Sequence, residues 1–100
     1  MIVVRDIFRV KFGQSKEATA LWKQALPLLK AAAPEGNFRL LTDVAGPAYY
    51  TLILEGTYAS LAEWENMHKS APGMADWKAI YAKIIPLTDE GRREILSVIE

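Results

Sequence analysis

Histidine occurs once in this chain, at position 68, and cysteine does not occur at all. His68 could serve as a general base or an axial ligand near neutral pH. A protein metal site built on it would need carboxylates at ligand spacing, and none is evident, so neither metal nor cofactor is expected. Ser70 stands two residues on, which along a helix turns it away from the imidazole, so no Ser–His couple forms. The other residue with chemical promise is Asp6. It lies between Val4 and Phe8 on the apolar face of an alternating run. A carboxylate there must find a partner or shift its pKa, which is how general bases are made. The plainer alternative is an ion pair with an arginine or a bond to a tyrosine hydroxyl. Asp6 and His68 are the catalytic candidates. Trp64, Trp77, Tyr81 and Tyr50, with Thr42, could wall an apolar pocket, although aromatic residues at helical spacing also build cores.

Other chemistries are excluded early. Twelve basic side chains balance twelve acidic ones, which removes the electrostatic case for nucleic acid or an anionic membrane. The glycines are isolated, so there is no phosphate-binding loop. No apolar run approaches the roughly 20 residues of a membrane span. The opening Met1-Ile2-Val3-Val4-Arg5-Asp6 reads as a strand rather than a signal peptide. Absence of cysteine fits a reducing cytoplasm.

The elements that must position these residues follow from periodicity. Ile2 to Phe12 alternates as a first strand, broken by Gly13. Ser15 is a candidate N-cap for a helix from Lys16 to Ala33, whose stripe includes Ala18, Leu21, Trp22, Ala25, Leu28, Leu29 and Ala32. Pro27 should kink it. A second strand is expected over Asn37 to Val44, a turn at Gly46-Pro47-Ala48, and a third strand over Tyr49 to Gly56. Pairing Val44 with Tyr50 sets Arg39 opposite Glu55, Leu41 opposite Ile53 and Asp43 opposite Thr51, giving one apolar face and one mixed face. Ser60-Leu61-Ala62-Glu63 is a capping box for a second helix, with Leu61, Trp64 and Met67 or His68 on its inner stripe. Ala71-Pro72-Gly73 interrupts it, and a helical stretch resumes from Met74 to Ile85, stopped by Pro86. After a turn at Thr88-Asp89-Glu90-Gly91, Arg92 to Ile99 alternates as a fourth strand.

The order is that of an α+β, ferredoxin-like β-α-β-β-α-β domain spanning residues 1–100, a four-stranded antiparallel sheet with strands 1 and 3 central and helices on one face. The opposite face would carry Ile7, Leu41, Tyr49, Ile53, Ile95 and Ile99 among Arg5, Arg9, Arg39, Asp43, Thr51 and Glu55. Nothing in the chain is left to cover it. A bare apolar patch of that kind marks an interaction surface, and a two-fold homodimer closing into an α+β barrel is the commonest solution.

The same order, with Phe8-Arg9-Val10-Lys11-Phe12-Gly13 and the block from Gly46 to Glu55 followed by Ser60-Leu61-Ala62-Glu63-Trp64-Glu65, resembles the NIPSNAP-like branch of the dimeric α+β barrel superfamily. The likeness covers most of the chain. It implies the antibiotic biosynthesis monooxygenase-like fold and a ligand in a cleft between helices and sheet. Members include cofactor-independent monooxygenases, haem-degrading monooxygenases, muconolactone isomerases and ligand-binding proteins. The haem-degrading pattern requires an asparagine that strand 1 does not offer. The expectation is a cytoplasmic homodimer binding a small hydrophobic or aromatic molecule, as a cofactor-independent monooxygenase or isomerase. The alternative is a non-enzymatic interaction or ligand-carrying module.

Overall fold

The computed structural model describes residues 1–46, 49–70 and 74–100, except for the side chains of residues 68–70 and 74. The chain runs β1 (Ile2–Val10), α1 (Ser15–Ala32), a 3₁₀ turn (Pro34–Gly36), β2 (Arg39–Thr42), β3 (Thr51–Tyr58), α2 (Leu61–Ser70), α3 (Met74–Ile84), a second 3₁₀ turn (Ile85–Leu87) and β4 (Thr88–Ser97). The sheet order is β2-β3-β1-β4, antiparallel throughout, so β1 and β3 are central as alternation and crossover rules require.

The β2–β3 register is the expected one: Arg39 faces Glu55, Leu41 faces Ile53, and the Asp43 amide donates to the Thr51 carbonyl. Both strands begin later than alternation suggests, because Asn37 and Tyr50 just ahead of them adopt left-handed backbone conformations (φ 49° and 61°), outside the β region. The Gly46-Pro47-Ala48 turn lies partly outside the described residues. β3 instead continues past Gly56 to Tyr58, because that glycine seats a ring. A Cβ there would stand 2.6 Å from Phe38 Cε1.

β4 corrects the sequence reading most. Gly91 belongs to the strand rather than to a turn, opposite Phe8, whose ring would lie 3.0 Å from a Cβ at that position. A register shift at Arg9/Val10 carries the pairing back to Thr88. Ile95 pairs with Val4 and therefore faces the helices, while Ile99 lies beyond the strand and is almost fully exposed. The bare face receives Glu90, Arg92, Glu94 and Leu96 from β4 in place of Ile95 and Ile99.

α1 begins at Ser15, so Ser15 is not the cap. Gln14 holds that place without a side-chain bond, and its carbonyl accepts from the Ala18 amide. Pro27 sits on the solvent side, and the helix continues through it to Ala32. The capping box at α2 forms: the Glu63 amide donates to Ser60 Oγ at 3.2 Å, and Glu63 Oε2 accepts from the Ala59 amide at 3.2 Å. The Ala71-Pro72-Gly73 interruption lies outside the described residues. The core joins Val4, Val10, Leu52, Leu54 and Tyr58 of the sheet to Ala18, Trp22 and Ala25 of α1 and Ile84 of α3.

Candidate functional site

Alternation along β1 turns Val4, Asp6 and Phe8 toward the helices. Asp6 is flanked across the sheet by Leu54 on β3 and Arg93 on β4, so Arg93 is the cross-strand neighbour that can satisfy it. Arg93 Nε donates to Asp6 Oδ1, and the pair is a salt bridge. The Arg93 guanidinium carbon also stands 5.1 Å from the centroid of the Trp64 ring on α2, a cation–π distance. One arginine thus links the edge strand, the central strand and the second helix.

Around this pair lies a cleft of about 500 Å³ between helices and sheet. Its sheet side is formed by Val4, Asp6, Phe8, Leu54, Gly56 and Tyr58 with Gly91, Arg92 and Arg93. α1 contributes Trp22, Leu28, Leu29 and Ala32; α2 adds Trp64 and Met67, and α3 adds Trp77 and Tyr81. The aromatic groups are packed on one another. Trp22 lies 5.1 Å from Phe8 and 5.8 Å from Trp77, and Trp77 stacks on Tyr81 at 5.3 Å and 24°. Such walls suit flat apolar molecules. The Trp22 Nε1 hydrogen is buried with no hydrogen-bond partner among the described residues. Burial, and next the nearby Asp6 carboxylate, push the Tyr58 hydroxyl well above its ordinary pKa of 10.0 against the opposing pull of Arg93. Tyr58 therefore stays protonated at physiological pH.

The bare face holds a second charged group. Glu55 is buried at 7% exposure although no helix covers it, because two arginines fold over it. Arg5 Nε donates to Oε2 at 2.8 Å and Arg39 Nε to Oε1 at 2.8 Å. Burial raises the Glu55 pKa, but the two guanidinium groups together outweigh it and hold the carboxyl below its ordinary 4.5.

Four of the residues singled out from sequence, Asp6, Trp64, Trp77 and Tyr81, come together at the cleft. Thr42 and Tyr50 do not. Thr42 ends the edge strand β2, exposed, with Oγ1 donating to the Thr51 carbonyl at 3.1 Å. Tyr50 is turned out by its left-handed backbone and packs edge-on against Phe12 at 5.5 Å. The His68 side chain lies outside the described residues. Arg5, Ile7, Arg9, Arg39, Leu41, Thr51, Ile53 and Glu55 share the bare face by register. Asp43 caps the end of β3, its Oδ1 accepting from the Thr51 amide at 2.8 Å, and Tyr49 projects beyond the strand, largely exposed. Sequence reasoning missed Arg93, Tyr58, Phe8 and Trp22 as cleft residues. The signal for Arg93 was its parity with Ile95, hidden once Ile95 was assigned to the wrong face.

Among the described residues no cluster of three or more His, Cys, Asp or Glu could hold a metal ion, and no helix is long and apolar enough to cross a membrane. No model of a known protein family matches the sequence, and no curated protein matches it. Solved structures do share the fold. A NIPSNAP family protein from Agrobacterium tumefaciens superposes with a TM-score of 0.83 at 21% identity, over 96% of this chain and 90% of its own. An uncharacterised NIPSNAP domain protein from Burkholderia xenovorans gives 0.82 at 15% identity, over 98% and 94%. SnoaB, a cofactor-independent oxygenase from Streptomyces nogalater, gives 0.73 at 9% identity, over 99% and 93%. At these low identities the superpositions establish a common fold and no more. It is the ferredoxin-like α+β fold of NIPSNAP and antibiotic biosynthesis monooxygenase-like proteins.

Proposed function

We propose that this chain, sharing the NIPSNAP fold, works as a cytoplasmic homodimer that binds a small hydrophobic or aromatic molecule between its helices and its sheet. The observation that carries the reading is the cleft itself: about 500 Å³, walled by Trp22, Trp64, Trp77 and Tyr81, with an ion pair at its sheet side. An open cleft of that size, walled by aromatic groups around one polar point, has the usual form of a small-molecule site. Support for the homodimer comes from the row Ile7, Ile53 and Leu41 across three strands on the uncovered face. The cysteine-free composition supports a cytoplasmic location. Calorimetric titration with a planar phenol such as naphthol tests the binding reading. Saturable one-to-one binding, lost when Trp77→Ala opens the wall, is the expected result; no heat of binding at millimolar naphthol would overturn it.

A second reading adds turnover. SnoaB is a cofactor-independent oxygenase of the same fold, and Asp6 places a carboxylate beside the aromatic walls. In that reading Asp6 and His68 assist proton transfer from a bound phenol or quinol. Oxygen uptake with planar quinols, recorded against an enzyme-free control, checks it. Uptake no faster than the control leaves a ligand-carrying module, and wild-type rates in Asp6→Asn or His68→Ala remove those residues from the chemistry.

A further inference from the structure

The charge arrangement at the cleft narrows the ligand class, on the premise that the cleft is a binding site. Three charged residues line it: Asp6, Arg92 and Arg93. Asp6 and Arg93 are bonded to each other, and Arg93 is further held against the Trp64 ring. Arg92 pairs across β1 with Ile7, so alternation sends its side chain to the opposite face of the sheet. Tyr58 brings a phenol but no charge. Among the described residues the wall is therefore polar in one place and neutral in sum. An ion entering such a space would lose its hydration and find no free counter-charge among the described residues, because the available guanidinium already serves a carboxylate of the protein.

We infer that the cleft takes an electrically neutral planar aromatic molecule and discriminates against anionic and cationic versions of the same ring. Asp6 is the specificity residue in this account: by engaging Arg93 it prevents the arginine from serving as an anion anchor. Removing either partner should therefore weaken the preference against one sign of charge and leave it intact against the other. Asp6→Asn keeps the shape and releases the guanidinium toward anions. Arg93→Gln leaves the carboxylate free to receive cations.

Three probes share one ring and differ in charge: naphthol, naphthoate and naphthylmethylammonium. Calorimetric titration of the wild-type protein at neutral pH should rank naphthol about tenfold or more above both ions, a modest difference for a desolvated charge. Asp6→Asn should tighten naphthoate about tenfold relative to naphthol. Arg93→Gln should do the same for naphthylmethylammonium, and it decides the matter if Asp6→Asn does not fold. Naphthoate binding the wild type as tightly as naphthol, or unaltered affinities for the ions in the folded variants, would overturn the neutrality argument while leaving the cleft a binding site. Failure of all three probes would overturn the cleft reading and this inference together.

Discussion

Trp22 illustrates how one side chain serves both packing and the site. Its indole is 1% exposed and touches Phe8, Trp77 and Tyr81, yet its N–H has no partner among the described residues. Trp22→Ala should cost about 3–5 kcal/mol, the usual range for losing a buried indole. Trp22→Phe should cost distinctly less, because the unsatisfied donor, itself a penalty of about 1–3 kcal/mol, leaves with the ring nitrogen. Urea unfolding at constant m checks the order, and a Phe variant as unstable as the Ala variant would refute it. Glu55 makes a pH-dependent case. Its folded pKa lies below the ordinary 4.5, so its contribution is present above that value and fades as pH falls through the folded value. Glu55→Gln should lower stability at neutral pH by about 1 kcal/mol, a figure kept small because Arg5 and Arg39 are substantially exposed. The gap between variant and wild type should narrow below pH 4.5. A gap unchanged in acid would contradict the sign.

At the scale of elements, the order of strands and helices, the central position of β1 and β3, and the β2–β3 register were all legible from alternation and turn chemistry. Boundaries were not, and glycine explains two of the errors. Gly56 and Gly91 read as a strand end and a turn, whereas both sit inside strands where a phenylalanine ring occupies the place a Cβ would need. Sequence alone does not distinguish a glycine chosen for its backbone freedom from one chosen for its missing Cβ. A separate error placed Ile95 on the wrong face, because no register was argued for β4 against β1, and that concealed Arg93, which shares its parity. The distinction can be measured. Gly56→Ala would set a methyl 2.6 Å from Phe38, a ring already pressed from the other side at Gly36, so about 1–3 kcal/mol of overpacking is expected. Gly46→Ala has open space within 4 Å and should change stability by less than about 0.5 kcal/mol. Thermal unfolding of the pair settles which glycine is a ring seat.

For the molecule as a whole, the Cα coordinates span 36 × 33 × 17 Å, a slab whose short dimension accommodates one helix layer on one sheet. No third layer among the described residues covers Ile7, Ile53 and Leu41. That row is half-buried rather than exposed, screened by the Arg5–Glu55–Arg39 bridge beside it. Two copies placed face to face would bury both rows while keeping each glutamate with its own arginines, so association need not break an existing ion pair. A carboxylate introduced at the centre of the row separates the possibilities. If the face meets water, Ile53→Asp should leave the mass unchanged and lower stability only modestly. If it meets a second copy, the variant should sediment as one chain at micromolar concentration where the wild type sediments as two. The wild-type melting temperature should then rise with protein concentration, as mass action requires of any fold coupled to assembly. A wild type that sediments as one chain, with a melting temperature independent of concentration, would rule out the homodimer.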